Sequence, residues 1–128
     1  MGLLTNILHF SADGDAANYG DRIPAVFIKN GGLLNSYIQI ASAVSGNKNH
    51  MVNIKFYVGI DYQIVIRQYK DGGDYWYEII VNGISNYKLR NTEAKIFRNV
   101  KLYASNPWTT SFTADYGNVC NIDIRGHQ

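Results

Sequence analysis

The chain has very little cysteine, proline, histidine or charge. Cys120 is its one cysteine in 128 residues, so no internal disulfide forms. His9, His50 and His127 are scattered, and no Cys or His pair has the spacing of a zinc site. No serine lies in a Gly-x-Ser-x-Gly elbow. Glu78 and Glu93 are the only glutamates, and neither has an evident acid/base partner in the sequence. These gaps argue against an enzyme. Charged residues make up 17% of the chain, with a formal net charge of +2 and no basic run, so nucleic-acid binding is not expected. Apolar stretches are strand length, which predicts no membrane insertion. No basic n-region precedes a long apolar h-region, so the chain reads as cytosolic or as a mature form whose signal is gone. No Asn-x-Ser/Thr sequon supports secretion.

The residues that are plentiful favour β-structure. Ten tyrosines, twelve glycines and a 46% hydrophobic content suit an ordered, pleated protein, and only two prolines interrupt it. The length fits one domain over 1–128, large enough to bury a core without staples. Period-2 patterning predicts strands near 4–11, 23–29, 36–44, 50–57, 61–69, 75–81, 84–90, 97–105 and 118–125. In the 75–81 run, Tyr75, Tyr77, Ile79 and Val81 share one face, with Trp76, Glu78 and Ile80 on the other. Asn82-Gly83 between two such runs is a strong hairpin signal, because both positions tolerate positive φ. Asn30-Gly31-Gly32 and Asp71-Gly72-Gly73-Asp74 mark two more reversals. The expectation is all-β, as a two-sheet antiparallel sandwich or a barrel.

If successive strands run antiparallel, their connections alternate between two ends. One rim then collects 12–22, 45–49, 70–74 and 91–96, and the other collects 30–35, 58–60, 82–83 and 106–117. The first rim would gather Asp13, Asp15, Asp21, Asp71, Asp74 and Glu93, six of the ten acidic residues. The 12–22 loop offers oxygen ligands for Ca²⁺ or acceptors for sugar hydroxyls, although Asp13-Gly14-Asp15 lacks the later ligands of an EF-hand. The plain alternative is a solvated loop whose Asp and Asn side chains cap turns. His50 begins a strand at this rim and is a surface residue or a ligand contact. Trp108, after Asn106-Pro107, closes one end of the core or stacks on a sugar. Cys120 reads as a small buried hydrophobe.

Five segments occur in one order: Asn6-Ile7-Leu8-His9-Phe10, 19–25, 40–49, Tyr77-Glu78-Ile79-Ile80-Val81-Asn82-Gly83, and 99–108. Together they resemble a laminin-G-like, concanavalin-like jelly-roll module of extracellular proteins from marine invertebrates and fish. The resemblance implies a jelly-roll sandwich, a secreted or extracellular setting, and binding rather than chemistry. It further implies Ca²⁺ on one rim, with Asp21, Asn91 and the carbonyl of Val44 as ligands. Asp21, Arg22, Asn47 and Asn91 are the leading ligand-binding residues, with Asp15 and Trp108 beside them. A glycan is the expected partner, with an extracellular protein as the alternative. The late start of the chain relative to such modules points to a homo-oligomer.

Overall fold

The structure is a computed structural model and describes residues 4–12, 19–20, 22–29, 36–57, 60–95 and 101–103. Within these residues the chain is all-β. The strands are β1 (Leu4–Ser11), β2 (Ala25–Lys29), β3 (Tyr37–Val44), β4 (Asn47–Lys55), β5 (Ile64–Asp71), β6 (Asp74–Val81), β7 (Ile84–Arg90) and β8 (Lys101–Tyr103). Every pairing is antiparallel. One sheet runs β4-β3-β2-β1-β8 and the other β5-β6-β7. No helix among the described residues is long and apolar enough to cross a membrane.

The expected two-sheet antiparallel sandwich is therefore the architecture found. Alternation along each strand supplies its core. From the five-stranded sheet come Val26, Ile38, Ile40, Val44 and Ile54, and from the three-stranded sheet Tyr77, Ile79 and Val81. Leu8, Ile28, Val52, Phe56, Ile64, Ile66, Tyr87 and Leu89 pack around them. The face shared by Tyr77, Ile79 and Val81 is thus the buried one. On the other face of the larger sheet, Ala25, Phe27 and Ala41 form a second small buried cluster.

Turn chemistry sets the register. Asn82 and Gly83 take φ of 50° and 80°, as the two-residue hairpin between β6 and β7 requires. Ser45 and Gly46 do the same between β3 and β4, at 51° and 80°. That tight turn starts β4 at Asn47, so His50 lies inside a strand and not at its beginning. The 97–105 strand is observed over Lys101–Tyr103, and the 118–125 strand falls outside the described residues. Strand β8 pairs with β1 through His9↔Tyr103, Phe10↔Leu102 and Ser11↔Lys101, bringing the last described segment back beside the first.

Polar groups enter the core in pairs. The hydroxyls of Ser42 and Tyr77 lie 2.9 Å apart across the two sheets, and His50 Nε2 is 2.7 Å from the hydroxyl of Tyr87. The rings of His50, Tyr77 and Tyr87 meet edge-on or tilted, with centroids 5.7–6.3 Å apart. Burial pushes the Tyr77 hydroxyl from 10.0 up to about 12, against the smaller opposing effect of its bond to Ser42. A raised folded-state value contributes stability that is present below the unfolded value and lost as pH climbs through the folded one. Denaturant midpoints should therefore fall between pH 10 and about 12, with a shallower fall in Tyr77→Phe. At neutral pH the same substitution should lower stability by about 1 kcal/mol through the lost hydrogen bond. An unchanged alkaline slope in the variant would remove Tyr77 as its source.

Candidate functional site: a loop rim joined by Asn91

Three loops meet at the end of the sandwich where β3 turns into β4 and β7 ends. Asn91 sits at their centre and is 3% exposed. Its Oδ1 accepts from the backbone N–H of Ser45 at 2.8 Å and from that of Glu93 at 3.2 Å. Its Nδ2 donates to Gln68 Oε1 at 2.7 Å, and its backbone N–H donates to the carbonyl of Tyr75 at 2.8 Å. Ser45 tightens the junction: its hydroxyl donates to the carbonyl of Arg90 and accepts from the N–H of Thr92. The side chain of Asn91 thus ties the turn of the larger sheet to β5 of the smaller one, and its backbone N–H adds a bond to β6.

Tyr19 brings in the third loop. Its hydroxyl donates to the carbonyl of Glu93 at 2.8 Å, and Lys95 Nζ lies 4.9 Å from its ring centroid. Burial raises the Tyr19 hydroxyl pKa and the Glu93 charge adds to that rise, while a backbone hydrogen bond with Gly46 opposes it. A side chain at position 46 would bring a Cβ within 3.2 Å of the Glu93 carboxylate, on a backbone already at φ 80°. Glycine is what permits this approach.

Arg22 and Asn47 meet beside these loops through Asn49. Arg22 Nη1 donates to Asn49 Oδ1 at 2.6 Å, and the backbone N–H of Asn49 donates to Asn47 Oδ1 at 2.9 Å. The Arg22 carbonyl accepts from the N–H of Ala43, which anchors its backbone on the edge of β3. Its guanidinium lies 5.4 Å from the centroid of the Phe27 ring.

Four of the residues singled out in the sequence, Arg22, Val44, Asn47 and Asn91, gather at this end. Val44 is buried in the core, with 1% exposure. Asp15, Asp21 and Trp108 lie outside the described residues. Two N–H donors occupy both lone pairs of Asn91 Oδ1, leaving none for a cation. Among the described residues no group of three or more His, Cys, Asp or Glu side chains could hold a metal ion.

Sequence reasoning put Tyr19 and Ser45 on this rim, within 12–22 and 45–49, but did not single them out among the candidate site residues. It also passed over the outer face of the β5-β6-β7 sheet. There Tyr69 pairs with Trp76, Trp76 with Arg90, Arg67 with Glu78, and Glu78 with Lys88. The Glu78 carboxylate accepts from Arg67 Nε at 2.8 Å and from the Ser85 hydroxyl at 2.7 Å. These bonds, Ser85 first, hold its pKa below the ordinary carboxylate value. Lys88 lies 4.8 Å from the Trp76 ring centroid and 5.6 Å from that of Tyr69, and Arg67 lies 4.3 Å from the Tyr69 centroid. Placing Trp76, Glu78 and Ile80 on one face was the signal for this surface.

Comparison with protein-family models, with curated proteins and with solved structures finds no match in any of the three.

Replacing Asn91 by alanine leaves two backbone donors and the Gln68 carbonyl without their partner, at about 1–3 kcal/mol for each buried group not reached by water. Asn91→Ala should therefore lower the free energy of unfolding by at least about 2 kcal/mol in urea titrations. Amide exchange should speed up at Ser45 and Glu93 before it does in β3 and β6. Uniform exchange across the chain would contradict a local joining role.

Proposed function

We propose that the chain is a non-enzymatic, lectin-like carbohydrate-binding module that works through the rim built by Tyr19, Arg22, Asn47, Asn49 and Glu93. The observation that carries this reading is the convergence, at one end of the sandwich, of the Tyr19 phenol and Arg22 guanidinium from the β1–β2 connection with the Asn47 and Asn49 amides at the start of β4. Sugar hydroxyls need alternating donors and acceptors held at fixed spacing, and pre-organised side chains supply them at low entropic cost. Asp15, Asp21 and Trp108 belong to the proposed ligand set on the sequence pattern alone. The resemblance assigns Ca²⁺ to this rim. Asn91 does not fit that role with its Oδ1 already bonded twice, so sugar binding is argued from side-chain hydrogen bonds, and metal dependence is left to a chelator to measure. A secreted or extracellular setting and a homo-oligomer complete the proposal, since repeated weak sites gain affinity through multivalency.

A second reading is a protein-binding adhesion module. The outer face of β5-β6-β7 favours it, because Trp76, Tyr69 and Arg67 are the residue types that dominate protein interfaces. Its partner would bind across a sheet rather than at a rim.

Glycan-array binding should appear with the wild type and drop at least ten-fold in Asn49→Ala, which leaves the joining contacts of Asn91 in place. A parallel array with chelator reports the metal, and light scattering at micromolar concentration should show more than a monomer. Folded protein that binds no glycan in either condition would sink the carbohydrate reading. Binding lost in Trp76→Ala instead would move the site to the sheet face.

A further inference from the structure

We propose that the outer face of β5-β6-β7 is a self-association surface, on which a second copy of this chain stacks face to face. The second copy is turned by a half-turn about an axis that crosses the strands at Tyr69 and Trp76. This rests on the homo-oligomer of the preceding reading and assigns it a surface. Cross-strand register arranges the face in rows. Asp71 and Asp74 form the row beside the Gly72-Gly73 turn, Tyr69, Trp76 and Arg90 the next, and Arg67, Glu78 and Lys88 the one after. Asp71, Asp74, Lys88 and Arg90 are exposed, and the Arg67 side chain is 44% exposed even while it bonds Glu78. Three carboxylates and three cations cancel over these rows. The row by the turn nevertheless carries two acids, and the two rows beyond it carry three bases against one acid.

That pattern selects the occupant. A partner of one sign, such as an anionic glycan or an acidic peptide, is attracted at one end of the face and repelled at the other. A turned copy presents the opposite sign to each end. Asp71 and Arg67 stand two residues either side of Tyr69 on β5, about 7 Å each way along the strand. The half-turn therefore lays Asp71 of each copy over Arg67 of the other, the reciprocal pairing of a two-fold interface. Asp74 lands over Glu78, which is 5% exposed between Arg67 and Lys88, so the exposed groups it meets are cations. Arg90 meets its own counterpart, but on an outer strand, where it is exposed and water and salt screen the repulsion. At the centre, Trp76, Tyr69 and Arg67 are residue types that anchor interfaces. The Glu78 charge is already answered by Arg67 and Ser85, so stacking buries no unpaired carboxylate there. Strands of the two copies then run nearly along one another, the aligned packing that twisted sheets adopt at about 30°.

Sedimentation of the full chain over a concentration series tests this. The wild type should form a dimer that weakens as salt is added. D71K and R67D each set like charges against one another and should weaken association at least ten-fold. An equimolar mixture of the two should recover it, because both cross-copy pairs are again opposite in sign. The Trp76 indole N–H resonance of the wild type should shift with protein concentration, a readout that needs no variant to fold. A dimer that neither substitution weakens, or a Trp76 resonance unmoved as the dimer forms, overturns this surface and leaves the homo-oligomer standing. A monomer at every concentration overturns both, and glycan-array binding by that monomer leaves the carbohydrate reading standing. A Trp76 resonance that shifts with an added sugar and not with concentration gives the face to the sugar and overturns the dimer.

Discussion

One side-chain amide joins the two sheets at the end where the loops converge. Asn91 is buried, and it reaches the β3–β4 turn with its oxygen and β5 with its nitrogen. A sandwich held by apolar contact alone fixes the separation of its sheets more firmly than their relative rotation, because hydrophobic contact is not directional. Hydrogen bonds to both sheets from one planar group add that direction. The positions of Ser45, Glu93 and, through Glu93, Tyr19 all follow from it.

The two outer faces have different characters. On the five-stranded sheet, Ala25, Phe27 and Ala41 are buried, and the cation at their margin, Arg22, has an aromatic ring and an amide for company. On the three-stranded sheet, Arg67 and Lys88 flank Glu78 and lie against Tyr69 and Trp76, so charge is compensated within a few ångströms. Similar residue types thus give one face whose charges are internally paired and one margin where, among the described residues, the guanidinium contacts are an amide and a ring.

Much of the fold was legible because alternation and turn residues are local signals. Strand β7 is found over Ile84–Arg90, and the Asn82-Gly83 turn carries the positive φ angles that its residues allow. Period 2 grouped Tyr77, Ile79 and Val81, which are buried, although Tyr75, grouped with them, is exposed at the end of β6. The start of β4 was misplaced, because Ser45 takes positive φ although serine carries no strong preference for it. The site was less legible. Asn91 was singled out in sequence as a ligand-binding rim residue, and only the packing of two sheets reveals that its groups are engaged within the protein. The partnering of Glu78 by Arg67 and Ser85 is likewise a matter of cross-strand register, which no local pattern announces.

The contact between Ser45 and Asn91 spans 46 positions, and that between Tyr19 and Glu93 spans 74. Both are non-local contacts whose loop-closure cost is offset only by an arrangement that includes both sheets. The rim is therefore a property of the completed chain. A hairpin isolated from either sheet holds only part of its residues and none of the contacts between the sheets.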